Sequence, residues 1–404
     1  MKNISKIIRP VHLGWLSEIL ICISLFCACS AWSPSSDGYI YQVPVQTDDG
    51  WLTASLEDVG MRTQPMIDFI NALSAYPDHW VHAVVVIKDG KLVFEEYFRG
   101  HDLDLSDLDG DLVYQTRDFD RDTLHSAASV SKSITSVLLG IAIDQGFVAG
   151  TDETLFSYFP DYEHLNDDSK SRITLEQMLS MGSGLPWTEA YGYDDPRNDL
   201  TSMISSEDPI AYVLSKSPVA EPDTNFIYNS GTTNLLGEII RRTSGMTLTA
   251  FAEQYLFVPL GIDSYEWYPF PKMTQMTVAS STLYLRPRDM AKVGQLYLGG
   301  GVWNGSRIVT EDWVSQSTKQ AITMSADESP VPGLNPAYGY QWWLGTFSTG
   351  EIATYFAAGF GGQFIFVLPE PEMVVVFTAG GFEERNYDAL LQIMNQYILP
   401  AAGY

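Results

Sequence analysis

Ser129 and Lys132 lie three residues apart, just before a strongly apolar segment of this 404-residue chain. If the segment is helical, that spacing places both side chains on one face, within hydrogen-bonding distance. The N–H groups of a first helical turn favour negative charge, which suits a developing alkoxide or oxyanion. A lysine activates a serine only when its pKa falls, and burial against Val137 to Ile143 would lower it. The pair therefore predicts a nucleophile and its base.

The histidines exclude one class of serine hydrolase. All six precede residue 165, whereas an α/β-hydrolase needs a histidine late in the chain, and no G-x-S-x-G sequence is present. His125, four residues before Ser129, leaves a histidine-assisted serine open, although a packed or capping imidazole is commoner. His79 and His82 have no third ligand at metal spacing and are expected to flank a strand. We expect no metal and no cofactor.

Residues 1–29 are predicted to be an export signal, because a basic start is followed by the apolar run Ile19 to Phe26. The three cysteines, Cys22, Cys27 and Cys29, all lie in this segment, so cysteine catalysis and zinc–thiolate sites are excluded from the body of the protein. Ala28-Cys29 resembles a lipoprotein box. We therefore expect lipidation of Cys29 and a periplasmic or cell-envelope location, with simple cleavage near residue 30 as the alternative.

Acidic residues greatly outnumber basic ones. The formal net charge is −27, and removal of residues 1–29 leaves 20 basic against 49 acidic residues, or −29. Such a charge argues against nucleic acid as a partner. Five aspartates cluster between Asp102 and Asp111, but their spacing does not fit an EF-hand loop. A solvated acidic loop is favoured over a calcium site.

Apolar periodicity gives the first half of the fold. Residues 63–73 have the spacing of an amphipathic helix, and 82–87 and 91–97 flank an Asp89-Gly90 turn, which predicts a β-hairpin. The helix that begins near Ser129 is expected to end at Gly146. A mainly helical insertion is then expected over about 147–275.

Strand signals return late in the chain. Residues 363–368 and 373–378 predict two strands, and 387–398 predicts a final helix. Strands near both ends of the sequence imply one antiparallel sheet, completed by distant segments and flanked by the terminal helices. We therefore expect one α+β domain over 51–404, with an inserted all-helical subdomain and a linker at 30–50.

Four further motifs accompany Ser129 and Lys132 in a characteristic order. They are Met178 to Leu185, Phe226 to Ser230, Arg286 to Met290 and Tyr338 to Trp343. Over residues 51–398 the chain resembles the serine β-lactamase and penicillin-binding-protein superfamily, in its class C-like hydrolase branch. The resemblance implies a β-lactamase/transpeptidase-like fold and an acyl-enzyme mechanism. Esterases, D-amino-acid peptidases, β-lactamases and 6-aminohexanoate-dimer hydrolases share that mechanism, so the fold does not fix the substrate.

The superfamily's second motif, Tyr-x-Asn, matches Tyr228-Asn229-Ser230, with serine in place of asparagine as in the 6-aminohexanoate-dimer hydrolases. The resemblance implies that Tyr228 is catalytic beside Lys132 and that Ser230 contacts substrate. A tyrosinate-like phenol could take the proton of Ser129 and return it to the leaving group, provided that the charge of Lys132 lowers the tyrosine pKa.

The third motif, Lys-Thr-Gly or His-Thr-Gly in the superfamily, aligns with 357–359, which reads Ala-Ala-Gly. The cationic or hydroxylic groups that hold a β-lactam carboxylate are missing, which weakens the case for a lactamase or transpeptidase. Gly359 and Gly361 still allow a close approach of substrate. The N–H groups of Phe360 and Ser129 are the expected oxyanion hole.

Aromatic residues follow two of these motifs. Trp187, Tyr191 and Tyr193 lie in the loop after the Ser-Gly-Leu sequence, and we take Trp187 and Tyr191 as candidate substrate contacts, with packing as the alternative. The aromatic residues of 340–343 are expected to pack in the core. Arg288 and Asp289 are expected to form an ion pair at a helix start.

The sequence thus predicts an exported serine hydrolase that acts on a small-molecule ester or linear amide through Ser129, Lys132 and Tyr228. A penicillin-binding D-amino-acid peptidase or class C-like β-lactamase is the second reading. A non-catalytic binding protein on the same fold is the third, although binding alone does not require the Ser/Lys/Tyr set. The membrane is expected as a partner only through the lipid anchor.

Overall fold

The computed structural model describes residues 38–404, apart from 77–78, 105–112, 194, 348–350 and 383–386. The predicted signal segment and Cys29 lie outside the described residues, as does most of the aspartate-rich stretch. In chain order the strands are β1 (Leu52–Thr53), β2 (Val81–Lys88), β3 (Lys91–Tyr97), β4 (Arg99–Asp104), β5 (Val113–Asp118), β6 (His125–Ser126), β7 (Tyr265–Trp267), β8 (Pro269–Phe270), β9 (Met273–Thr277), β10 (Leu283–Leu285), β11 (Val302–Trp303), β12 (Ser306–Arg307), β13 (Ala337–Tyr338), β14 (Trp343–Phe347), β15 (Ile352–Gly359), β16 (Gln363–Leu368) and β17 (Met373–Ala379).

The α-helices alternate with short 3₁₀ turns and two π-helical turns, Glu253–Phe257 and Met394–Ile398. They are α1 (Thr63–Ser74), α2 (Val130–Asp144), α3 (Leu175–Leu179), α4 (Asp199–Ile204), α5 (Pro209–Leu214), α6 (Ser230–Ser244), α7 (Leu248–Ala252), α8 (Val258–Leu260), α9 (Pro287–Leu298), α10 (Glu311–Ser317), α11 (Asp388–Ile393) and α12 (Leu399–Ala401). The predicted helices near 63–73 and 387–398 and the helix after Ser129 are confirmed.

One eight-stranded sheet runs in the order β1-β3-β2-β17-β16-β15-β14-β13. Its pairs are antiparallel except for β1 with β3, which is parallel. β17 pairs with β2, so the last strand of the chain lies beside one of the first. The β2–β3 hairpin turns at Asp89 and Gly90, both with positive φ, as a two-residue hairpin turn requires. The α+β class and the predicted sheet are confirmed.

The central strands are buried on both faces, which divides the core into two layers. Successive side chains point to opposite faces of a strand, so Val85 and Ile87 join the core that holds α2 and α6. Val84 and Val86 join the other core, which holds α1 and the C-terminal helices. This explains why β2 reads as an unbroken apolar run rather than an alternating one.

The predicted helical insertion is shorter than expected. Gly261 adopts the left-handed conformation and ends α8. The next elements are β7, which pairs with β10, and the small β8–β9 hairpin. The segment 265–277 therefore forms strands rather than helix. Its polar and aromatic residues do not alternate regularly enough to predict strands from the sequence.

The predicted ion pair between Arg288 and Asp289 is also wrong. Arg288 and Asp289 do not pair with each other, although both lie at the start of α9. Arg288 instead binds Asp49 and Glu95, while Asp289 binds Arg286 and Lys292. The Arg288 contacts tie the segment after residue 38 to the sheet, so the described part of the predicted 30–50 linker packs on the body.

Asp102, expected in a solvated acidic loop, lies in β4. Its side chain is nearly buried, and its carboxylate is 2.7 Å from Arg117. Asp102 therefore forms an ion pair and is not part of a solvated loop.

Candidate active site

The chain reaches Ser129 through a strained turn. β6 pairs with β10, and the Ala127 N–H donates to the Leu283 carbonyl at 2.7 Å. Ala128 then takes a φ of +45°, unusual for a residue with a side chain, and Ser129 is the N-cap of α2. Ser129 is partly exposed, whereas the residues of α2 from Val130 to Ala142 are buried. Burial on all sides holds the helix, and with it the serine, in one position.

The Lys132 amine lies against the Ser129 hydroxyl. Lys132 Nζ is 3.0 Å from Ser129 Oγ and 3.0 Å from the Ser280 carbonyl oxygen. The side chain is 1% exposed. Burial lowers the Lys132 pKa to about 8, and the charge of Glu189 opposes that shift. A substantial fraction of this amine is therefore neutral, and able to accept a proton, in the mildly alkaline range.

Tyr228 is the third residue of the candidate site and lies beside Ser129 and Lys132. Lys132 Nζ is 4.8 Å from the centroid of the Tyr228 ring, and the phenol interacts with the Ser129 side chain. Burial is the main cause that raises the Tyr228 pKa, and the carboxylate of Glu189 adds to it. The condition for a tyrosinate-like phenol, a Tyr228 pKa lowered by the charge of Lys132, is therefore not met. A raised pKa favours the protonated phenol, which can donate a proton.

The Met178–Leu185 motif places Tyr228 through its backbone. The Ile227 N–H donates to the Met181 carbonyl at 2.9 Å, and the Asn229 N–H contacts Met181 Sδ at 3.2 Å. Asn229 Oδ1 also accepts from the Thr232 N–H at 3.0 Å and so caps α6. Both neighbours of Tyr228 are thus fixed, and the motif has a positioning role.

The end of β15 lies beside the turn that precedes Ser129. A Cβ added to Gly359 would come within 2.4 Å of the Ala127 carbonyl oxygen, so only glycine allows this approach. Phe360 and Gly361 follow directly, and Gly361 has a φ of +87°. The Gly361 N–H donates to the Tyr387 hydroxyl at 3.0 Å. The predicted oxyanion segment is therefore adjacent to Ser129, while residues 357–358 are buried alanines.

The loop aromatics separate into different environments. Trp187 is 8% exposed, and its Nε1–H donates to Glu189 Oε1 at 2.7 Å. Tyr191 lies at the surface, with the Arg197 guanidinium 4.0 Å from its ring centroid. Tyr193, which was not selected as a substrate contact, lies 5.5 Å from the Phe360 ring between centroids. The structure thus brings Tyr193, rather than Tyr191, to the oxyanion segment.

Two other predicted positions are buried. Ser230 is the first residue of α6, and its Oγ has no hydrogen-bond partner among the described residues. His125 packs against Phe119 with 4.7 Å between ring centroids, and its Nε2 is buried without a partner in the same part of the chain. Burial lowers the His125 pKa well below its usual value. The packing interpretation of His125 fits this environment.

Three residues near Lys132 were missed by sequence reasoning. Ser280 contributes a backbone carbonyl, which any residue type could supply, so no sequence signal marks it. Asn234 holds Ser280 from α6, and Glu189 acts on Lys132 and Tyr228 through its charge. Glu189 lies two residues after Trp187, inside the loop that sequence reasoning had selected. Asn234 lies four residues after Ser230, one helical turn along the same face.

Within the residues that the structure describes, no group of three or more histidine, cysteine or acidic side chains is arranged to hold a metal ion. In the same residues, no helix combines the length and apolar character that a membrane span requires.

Known proteins show similarity along most of the chain. It is 26% identical over 277 residues to the 6-aminohexanoate-dimer hydrolase of Paenarthrobacter ureafaciens, covering 65% of this chain and 68% of that protein. It is 26% identical over 197 residues to the lovastatin esterase of Penicillium rubens, covering 43% and 46% of the two chains.

Solved structures show the same fold. A family VIII carboxylesterase superposes with a TM-score of 0.62 at 17% identity, covering 83% of this chain and 96% of that one. The octameric penicillin-binding protein homologue of Pyrococcus abyssi gives a TM-score of 0.62 at 16% identity, covering 84% and 78%. The β-lactamase family model matches residues 73–394, most of the chain. The resemblance drawn from the motifs is confirmed, and the chain belongs to the beta-lactamase family.

Proposed function

We propose that this protein is a serine hydrolase that cleaves an ester or a linear amide through an acyl-enzyme on Ser129. The observation that carries the proposal is the buried Lys132 amine, 3.0 Å from Ser129 Oγ and with its pKa lowered to about 8. The relatives support the substrate class, because one is named as a 6-aminohexanoate-dimer hydrolase and another as a lovastatin esterase.

The proposed reaction has two halves. Neutral Lys132 takes the proton of the Ser129 hydroxyl as Oγ bonds the substrate carbonyl carbon, and the N–H groups of Ser129 and Phe360 hold the oxyanion. The tetrahedral intermediate collapses, and the leaving oxygen or nitrogen receives a proton through the Tyr228 phenol, which Lys132 replenishes. Water then attacks the acyl carbon, the same groups move its proton, and the acid is released.

The aligned segment of β15 argues against a β-lactam carboxylate as the preferred ligand. Residues 357–358 are buried alanines, so no cation or hydroxyl projects from them. A substrate without a carboxylate at that position loses nothing by this change. For this reason an ester or linear amide is preferred over a penicillin-like substrate or a D-amino-acid peptide.

The test is covalent labelling followed by intact-protein mass. Wild type is exposed to a fluorophosphonate, to benzylpenicillin and to a p-nitrophenyl ester, beside Ser129→Ala and a control, Ser136→Ala, on the same helix. We expect fluorophosphonate labelling and ester turnover in wild type and control, and an activity loss on the order of 10⁶-fold in Ser129→Ala.

Other results would favour a different function or contradict the assignment of Ser129. A persistent penicilloyl adduct would favour the peptidase or β-lactamase reading. Labelling that survives in Ser129→Ala would contradict the assignment of Ser129 as the nucleophile. No labelling of the wild type by any probe would favour a binding protein.

We also propose that the protein is exported and lipid-anchored at Cys29, in the cell envelope. Cys27 provides a matched control because it lies two residues earlier. Membrane association that is lost in Cys29→Ser and kept in Cys27→Ser is the expected result. Equal release of wild type and both variants into the soluble fraction would contradict the anchor.

A further inference from the structure

We infer that Asn234 is a positioning residue for the catalytic lysine, acting through the Ser280 carbonyl. The inference rests on the proposed function and adds a residue to it. The Asn234 side chain forms no hydrogen bond to Ser129 or Lys132. Its effect on the reaction would pass through one peptide carbonyl.

The Asn234 side chain holds the Ser280 residue from two sides. The Asn234 Nδ2–H₂ group donates to Ser280 Oγ at 3.0 Å, and Asn234 Oδ1 accepts from the Ser280 N–H at 3.3 Å. Nδ2 also donates to the Ser230 carbonyl at 2.9 Å, within α6. Asn234 and Ser280 are both fully buried, so no water competes for these bonds. The amide fixes Ser280 to the helix that begins next to Tyr228.

The turn that contains Ser280 is held at other points too, which makes its carbonyl a rigid acceptor. Thr135 Oγ1, on α2, donates to the Ala279 carbonyl at 2.8 Å. The indole N–H of Trp267 donates to the carbonyls of Val278 and Ser281 at 3.0 and 3.1 Å. Asn234 is the one of these side chains that binds Ser280 itself.

A fixed carbonyl at this position sets the direction of the lysine lone pair. An amine nitrogen that donates one N–H to the Ser280 carbonyl has its remaining positions constrained, and Ser129 Oγ lies at one of them. The same carbonyl stabilises the ammonium more than the neutral amine, because only the ammonium carries a full charge. Loss of the fixed carbonyl should therefore slow proton transfer and also lower the lysine pKa.

The titratable groups that face Lys132 are few. Tyr228 comes from the segment before α6, and Glu189 comes from the loop after α3. Tyr193 and Tyr387 act on Tyr228 in turn. None of them is bonded to Asn234 or Ser280, so an Asn234 variant changes the carbonyl while leaving these charges in place.

The experiment measures the rate constant of fluorophosphonate labelling against pH in the full-length protein. Asn234→Leu removes the amide at similar volume. Thr233→Val is the matched control, since Thr233 is also fully buried on α6 and its Oγ1 donates to Gln341 Oε1 at 2.8 Å, away from Ser280. The labelling rate should rise with pH along an acid limb and then reach a plateau. We expect Asn234→Leu to lower the plateau rate at least ten-fold and to move the midpoint of the acid limb to lower pH by half a unit or more. Thr233→Val should leave the acid limb in its wild-type position.

A purely structural role predicts a different result. In that case Asn234→Leu would lower the melting temperature and the rate with the limb in its wild-type position, and this would overturn the inference. If Asn234→Leu does not fold, Ser280→Ala decides, because it removes one Asn234 bond and keeps the carbonyl; a smaller shift in the same direction supports the inference and no shift overturns it. An unlabelled wild type is a separate result, which refutes the proposed function itself.

Discussion

Three buried lysines show how differently the same residue type can be used. Lys292 Nζ is 2.8 Å from Asp289 Oδ1, and Lys170 Nζ is 3.4 Å from Asp167 Oδ2. Within the described residues, Lys132 has no carboxylate within 4 Å, and its hydrogen bonds go to a hydroxyl and a carbonyl. A buried ammonium without a counter-ion gains little from being charged, so its pKa falls. A lysine perturbed in this way beside a serine supports the proposed catalytic role of Lys132.

Glu189 should set where on the pH scale Lys132 works. Its charge raises the Lys132 pKa against the larger effect of burial, and the result is about 8. In the proposed mechanism the neutral amine is the base, so labelling by a fluorophosphonate should rise with pH along an acid limb centred near pH 8. Glu189→Gln keeps an oxygen for the Trp187 N–H but removes the charge. We expect the limb to move to lower pH in this variant.

The control for this prediction is Glu221→Gln. Glu221 forms an exposed pair with Arg172, so the variant removes the same charge at a position where solvent screens it. Its limb should coincide with that of the wild type. A Glu189→Gln limb that stays in place, or moves to higher pH, would show that the carboxylate does not act on Lys132.

At the scale of elements, the site depends on how closely β15 approaches the turn before α2. Gly359 has no Cβ to keep the two apart, and a methyl group there would overlap the Ala127 carbonyl oxygen. Gly359→Ala should therefore push the end of β15 away from Ser129. A displacement of about 1 Å costs on the order of 100-fold in rate. We expect that loss in fluorophosphonate labelling, together with roughly 1–3 kcal/mol of stability from overpacking.

Gly333→Ala is the matched control. A Cβ at Gly333 would meet only Leu391 Cδ1, at an ordinary contact distance of 3.7 Å. This variant should label at the wild-type rate. Full labelling by Gly359→Ala would mean that the end of β15 does not contribute to the oxyanion site.

Elements whose reasons are local could be predicted from the sequence. The β2–β3 hairpin has its turn residues and its apolar runs within 17 positions, Val81 to Tyr97, and the motifs identified Ser129, Lys132 and Tyr228. What could not be predicted depends on partners distant in sequence. The Ser280 carbonyl is 148 residues from Lys132, and a carbonyl carries no residue signature. The upward direction of the Tyr228 pKa shift likewise depends on how tightly the folded chain packs around the phenol, which one sequence does not reveal.

At the scale of the whole molecule, a single arginine joins three distant parts of the chain. Arg288, at the start of α9, donates from Nε and Nη2 to the two carboxylate oxygens of Glu95, at 2.7 and 2.5 Å. It also binds Asp49 at 2.7 Å and the Val45 carbonyl at 3.0 Å. Tyr41, in the same segment, donates to the Val93 carbonyl at 2.7 Å. The segment 38–50 is therefore part of the folded body, held at the edge of the sheet opposite β13.

Arg288→Met should lower the free energy of unfolding by far more than the loss of an exposed ion pair would. The Arg288 side chain is 5% exposed, and its removal leaves the nearly buried Glu95 carboxylate and the partly buried Asp49 carboxylate without this cation. Stranding buried charges costs about 3 kcal/mol, whereas Arg99→Met, in the exposed pair with Asp118, should cost under about 1 kcal/mol. Urea unfolding at pH 7 measures both. Equal urea midpoints for the two variants would contradict this role of Arg288.

The same interaction predicts how the difference between wild type and Arg288→Met changes with pH. Burial raises the Asp49 pKa, but hydrogen bonding to Arg288 and its charge outweigh burial, and the net shift is downward. A carboxyl whose pKa is lower in the folded state stabilises the fold above its unfolded pKa, and this contribution disappears as pH falls through the folded value. The stability gap should therefore be widest near neutral pH and narrow below about pH 4, the ordinary range of an aspartate. Urea midpoints measured from pH 7 down to pH 3 would test this, and a gap that stays constant would show that Asp49 contributes nothing through its charge.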